Sequence, residues 1–211
     1  MQRSGHIFVL LCAVLGSRNI FSPLRMTGSP SGASSDPREL LQEAMARHKV
    51  EKKPADFEAQ YNLAARLQAR GQLAEAKRHY QLALRIHPED ATVNNALGGV
   101  LLASGQSGEA IPYFIAALRA QPDNFDAHYN SGIALATESR FGEAIEHFRA
   151  AARLRPEDAN AEANLGAALA QVGDLTEAKS HLEVALRIDP TLALARENLE
   201  IVNRSLAERP K

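Results

Sequence analysis

The chain has 211 residues, with 24 basic and 25 acidic side chains and a formal charge of −1. Acids and bases are mixed along it, so it lacks the basic stripe that grips nucleic acid. Aromatics are 5% and tryptophan is absent, against a β-rich or sugar-binding protein; the one cysteine, Cys12, permits neither an internal disulfide nor a multi-thiolate zinc site.

The chain opens with Arg3 and an uncharged apolar run over residues 7–15, and no acid precedes Asp36. A short basic start before such a run reads as a secretory signal. The run is too short to span a bilayer, which takes about 20 residues. Cleavage after Gly16 satisfies the small-residue rule, whereas Leu11 ahead of Cys12 does not suit a bacterial lipoprotein signal. Two other readings stand beside export. Arg3, Arg18 and Arg25 among serines also fit a mitochondrial transit peptide, and a start at Met26 leaves a cytoplasmic chain. The expectation is export, periplasmic or secreted, with residues 1–16 as signal peptide, 17–36 as a flexible Ser/Gly/Pro-rich linker and no membrane span in the mature chain.

Next comes a predicted capping helix over 37–53, marked by Leu40, Leu41, Ala44 and Met45. Residues 54–192 then repeat one pattern four times. Pro88, Pro122, Pro156 and Pro190 stand 34 residues apart. Ala76, Ala110, Ala144 and Ala178 keep that interval, as do Ala83, Ala117, Ala151 and Ala185, and the bulky series Tyr80, Phe114, Phe148 and Leu182. The first helix of each unit follows a capping side chain, Asp56, Asp90, Asn124 or Asp158, able to accept from open N–H groups. Places seven, eight and eleven of that helix supply a close-packing set such as Leu97, Gly98 and Leu101. Gly71, Gly105 and Gly173 end it with the left-handed conformation a C-terminal cap wants; Ser139 in the third unit predicts a looser turn. The second helix opens on Glu75, Glu109, Glu143 or Glu177, whose charge suits the helix dipole. Pro112 lies early in one of them and predicts a slight bend. Ala195, Leu199, Val202 and Leu206 mark a second capping helix within 193–211.

This period and pattern resemble the tetratricopeptide repeat. The resemblance implies an all-α, right-handed α-solenoid of stacked helix–turn–helix repeats with capping helices. The aromatic frequent at place four of the family is replaced by Gln60, Asn94, His128 and Glu162, which predicts looser packing between units. It also implies that first helices line a concave side and that their place six looks into the groove. Asn62, Asn130, Asn164 and Asn198 share that place, with Asn95 beside the interruption at Ala96. An asparagine offers one acceptor and two donors, so such a row can pair with an extended peptide backbone. Tyr61 and Tyr129 flank the row, and Ala65, Gly99, Ala167 and Ala170 make its surroundings small and apolar. The family's carboxylate clamp needs bases in the groove, whereas Tyr61, Ala65 and Ala96 stand at clamp places here, so a chaperone-tail adaptor is rejected.

His79, His147 and His181 recur at one place of the second helix, with Tyr113 between them. Neighbouring helices lie about 8–10 Å apart, too far for imidazoles one repeat apart to share an ion. They are expected to pack rather than chelate. No phosphate loop, nucleophile motif or converging acid pair is discernible. The expected function is a non-catalytic interaction scaffold that binds a peptide segment of a partner protein, without cofactor or metal. The alternative is a structural or self-associating subunit of a larger envelope assembly, a homo-oligomer included.

Overall fold

The computed structural model describes residues 36–208. The expected signal peptide and most of the expected linker therefore lie outside the described residues. The helices run α1 (Pro37–Lys52), α2 (Phe57–Ala69), α3 (Leu73–Ile86), α4 (Ala91–Ala103), α5 (Ser107–Ala120), α6 (Phe125–Thr137), α7 (Phe141–Leu154), α8 (Ala159–Gln171), α9 (Leu175–Ile188) and α10 (Ala193–Ala207). No strand occurs among the described residues, and no helix there is long and apolar enough to cross a membrane.

The four capping side chains start the first helices as their chemistry requires. Asp56 accepts from the Ala59 N–H at 2.9 Å, Asp90 from Val93 at 2.9 Å, Asn124 from Ala127 at 2.9 Å and Asp158 from Ala161 at 2.8 Å. Each bond satisfies one of the amide groups that a helix start leaves open. At the other end Gly71, Gly105 and Gly173 take φ of 72°, 75° and 84°. Ser139 takes φ 61° at the matching place. The serine turn is thus no looser in shape than the glycine turns; it holds the same left-handed backbone against the cost of a Cβ, about 1–2 kcal/mol.

The chain forms two compact units, one reaching up to Asn130 and the other starting at Ser131, so the division falls inside α6. In the first unit α1 packs on α2, α2 on α3 and α4, and α4 on α3 and α5. In the second α8 packs on α7, α9 and α10, and α9 on α10. Within hairpins, a small residue at place eight of the first helix meets the bulky residue of the second. A Cβ on Gly98 would stand 2.6 Å from the Phe114 ring, and one on Gly132 2.6 Å from the Phe148 ring. A Cβ on Gly166 would stand 2.7 Å from Leu182 Cγ and 3.0 Å from the Ala178 carbonyl oxygen. Those distances are shorter than van der Waals contact allows, so glycine leaves the bulky residue its room in these three hairpins, whereas the first hairpin holds the buried Ala64 at that place. Tyr80, Phe114, Phe148 and Leu182 are all buried, and burying such a side chain stabilises by about 1.5–3 kcal/mol.

An ion pair at one place of the repeat joins neighbouring helices in each unit. Arg47 of α1 binds Glu75 of α3 through both carboxylate oxygens, at 2.5 and 2.9 Å, and also Glu43 at 2.9 Å. Arg70 closes on the other oxygen of Glu43, which is buried. Arg149 of α7 binds Glu177 of α9 at 2.9 Å, at the same places of the repeat as Arg47 and Glu75. Hydrogen bonding to these arginines holds the Glu75 and Glu177 carboxyls below the usual carboxylate range.

Candidate functional site

The polar residues at place four have a use that their spacing alone did not show. Gln60 donates to the Pro54 carbonyl at 2.7 Å and Asn94 to the Pro88 carbonyl at 2.9 Å. His128 Nε2 lies 2.9 Å from the Pro122 carbonyl, and Arg196 donates to the Pro190 carbonyl at 2.7 Å. Proline cannot donate, but its carbonyl remains a strong acceptor at the bend between units. The expected loosening at place four is therefore offset by a side-chain bond tying each of these helix starts to the preceding turn.

Glu162 departs from that pattern and instead accepts from His181 Nδ1 at 2.6 Å. In the first unit the matching pair is Gln60 and His79, 2.7 Å apart. The hydrogen bond to the Glu162 carboxylate raises the His181 pKa above the usual 6.5, aided by Glu177 with an oxygen 3.6 Å from Nε2. His79 moves the other way, lowered chiefly by burial, with Arg47 and Arg78 adding to the fall against the pull of Glu75. His79 and His181 thus bridge the two helices of their hairpins. Among the described residues no three His, Cys, Asp or Glu side chains gather as a metal site.

The amide series is placed unevenly. In the first unit Asn62 is exposed, Asn95 and Asn130 are half-buried, and Tyr61 is half-buried with its ring 6.1 Å from Tyr80. Tyr129, expected at the groove, is buried and stacks on Phe125 with centroids 5.7 Å apart. The Asn95 carbonyl oxygen is enclosed without a donor. In the second unit Asn164 of α8 is 0% exposed and Asn198 of α10 is 3% exposed. The side-chain nitrogen of Asn198 is enclosed without an acceptor. A buried unpaired amide donor costs about 1–3 kcal/mol, so this group is set for a partner of acceptor chemistry. Ala163, Ala167 and Ala170 of α8 are buried as well. What the geometry offers chemically is hydrogen bonding and shape; no nucleophile, base and electrophile converge there.

With repeated hairpins and helix caps in place, the class of protein is defined. Tetratricopeptide repeat profiles match residues 61–114, 95–159 and 135–197, and the chain belongs to that family. No curated protein sequence matches it. Among solved structures it is similar to YrrB, described as a tetratricopeptide protein with an unusual peptide-binding site. That match has 26% identity and a TM-score of 0.71, covering 77% of this chain and 84% of YrrB. It is similar to the first repeat domain of Spaghetti (RPAP3), bound to the HSP90 peptide SRMEEVD. Identity there is 26% and the TM-score 0.55, over 57% of this chain and 95% of that one. MamA from Desulfovibrio magneticus RS-1 shares the fold at 21% identity and a TM-score of 0.62, over 72% and 92% of the two chains.

Proposed function

We propose that this chain is a non-catalytic scaffold that holds a peptide segment of another protein against the inner faces of its first helices. The carrying observation is the Asn198 amide nitrogen, enclosed without an acceptor among the described residues, together with the small apolar alanines at neighbouring places of α8. A backbone carbonyl of an extended segment supplies that acceptor, and the alanines leave room for apolar side chains. Each such bond contributes only about 0.5–1.5 kcal/mol net, so affinity comes from several acting together. The peptide-binding site named for YrrB and the peptide bound to the RPAP3 domain support the class of ligand. They do not support an acidic tail like SRMEEVD, because Tyr61, Ala65 and Ala96 stand where a clamp needs bases. Export, read from the N-terminal run, is part of the same proposal and puts the partner outside the cytoplasm.

The test is selection of peptides from a random display library on the folded chain. Binders are expected to be uncharged or apolar at their core, and to lose at least about tenfold in affinity on Asn164→Ala/Asn198→Ala. Binders indifferent to that pair of substitutions contradict the site.

Self-association is a second reading, favoured by Leu41 and Met45 of α1, which are 62% and 65% exposed. Sedimentation of the chain with and without Leu41→Lys/Met45→Lys decides it: a dimer that these changes dissolve supports it, and a monomer at all concentrations rejects it.

A further inference from the structure

Helix α1 is a second helix by register. It ends at Lys52, one repeat before Ile86, and the next residue, Lys53, has φ −139° and ψ 75°, against −129° and 86° at His87 and −135° and 83° at Arg155. Its Arg47 makes the ion pair that Arg149 makes in α7. Met45 therefore holds the place of His79 and His181, and Ala46 that of Tyr80, Phe114, Phe148 and Leu182. In complete hairpins the paired first helix covers these places. His79 and His181 meet its place four, and the bulky residue lies under its place eight wherever glycine stands there. On α1 that face is open, with Leu41 and Met45 62% and 65% exposed. A terminal helix that only shields an array from water has a polar outer face. By register the covering helix would fall on residues 23–35, outside the described residues, and their sequence puts Pro30 at place eight between Gly28 and Gly32. Proline inside a helix costs about 3 kcal/mol, so this is not the pattern of a first helix.

We infer that this face of α1 seats an amphipathic helix of another protein, with a bulky apolar stripe flanked by acids. The site is separate from the peptide site on the first helices, and it is the face that the second reading gives to a second copy. The helical form follows from the lattice, since a helix meets the same place on α3 and α9. The bulk follows from Ala46. Glycine opposes a bulky residue in three hairpins, so a small residue on α1 leaves room for a large one opposite. The charge follows from the rim. Ala44, Met45, His48, Lys49, Lys52 and Lys53 line one open hollow along the C-terminal half of α1. Glu51, with an oxygen 3.8 Å from His48 Nδ1, offsets only part of that basic charge. Lysine stems can cover apolar side chains while their ammonium groups pair with carboxylates. A second copy would bring the same basic rim to the contact.

The probe is a pair of synthetic helical peptides with leucines at i, i+3, i+4 and i+7 spacing, flanked by glutamate in one and by lysine in the other. Binding to the full-length chain is followed by fluorescence anisotropy. The glutamate peptide is expected to bind at least about tenfold more tightly than the lysine peptide. Leu41→Ala/Met45→Ala should weaken it by about tenfold or more, and Lys49→Glu/Lys52→Glu should reverse the order of the two peptides. All these positions are exposed, so the substitutions are expected to spare the fold, which circular dichroism checks. Equal affinity for the two peptides, or binding indifferent to both α1 pairs, overturns the inference. Loss of glutamate-peptide binding in Asn164→Ala/Asn198→Ala also overturns it, since the peptide then lies on the first helices. Maleimide labelling of Cys12→Ser/Met45→Cys reports what already covers the face, and fast labelling is expected. Slow labelling relieved by dilution makes the occupant a second copy, and slow labelling unmoved by dilution makes it the chain's own residues; either overturns the inference. Library peptides that depend on Asn164 and Asn198 leave the peptide site standing in each of these cases.

Discussion

His79 in the first unit and His181 in the second occupy one place of the repeat, three repeat lengths apart, and face the same place of the paired first helix. Gln60 meets the first and Glu162 the second, at 2.7 and 2.6 Å. The two imidazoles move in opposite directions, His79 down chiefly through burial, and His181 up through its hydrogen bond to the Glu162 carboxylate that stands where the first unit has an amide. The backbone is shared; the electrostatics are not. A repeat lattice fixes where side chains meet, and each unit then chooses what the meeting does.

The largest effect on that comparison comes from the lattice itself. Gly98→Ala in the first unit and Gly166→Ala in the second each push a methyl into Phe114 or into Leu182 and the Ala178 carbonyl. Each is expected to lower unfolding free energy by about 1–3 kcal/mol in urea denaturation. If both are neutral, the small residue at place eight is inheritance and the shared hairpin geometry needs another cause. Next, Asp90→Ala and Asp158→Ala remove caps at 2.9 and 2.8 Å. A loss of about 1 kcal/mol apiece is expected, equal in the two units because the cap is part of the shared lattice. Ser139→Gly relieves the left-handed non-glycine turn found among the described residues and should stabilise by about 1 kcal/mol, read as an upward shift of the urea midpoint.

The smallest effect separates the units by pH. A histidine raised in the folded state contributes stability that is complete below its unfolded pKa, near 6.5, and is lost as pH rises through the folded value. His181 therefore predicts weakening above about pH 6.5. His79, lowered on folding, predicts the reverse: a loss as pH falls from about 6.5 through its folded value. Glu162→Gln should weaken the first dependence, leaving only what Glu177 contributes, and spare the second, measured as thermal midpoints across pH. An alkaline loss unchanged in Glu162→Gln assigns it to another group.

Much of this was legible in the sequence because period is a linear property. Prolines, alanines and capping side chains at a constant interval fix helix ends and hairpin faces without knowledge of any contact. The meaning of place four was not legible. Gln60, Asn94 and His128 differ in chemistry, and only the turn geometry shows that all three reach a proline carbonyl six residues earlier. The amide series was visible as a column, but its burial was not. Asn62 and Asn164 share a place, yet one is exposed and the other is not, since burial depends on what lies over a helix and spacing carries no record of that.

The central claim is that partner segments lie on the inner faces of the first helices and meet their amides. Titrating a library-selected peptide into the isotope-labelled chain and following side-chain amide signals by NMR tests it most directly. The Asn164 and Asn198 signals are expected to shift first and farthest, while that of Gln81, on the second helix α3, stays still. Shifts confined to the second helices, with both asparagines unmoved at saturation, contradict it.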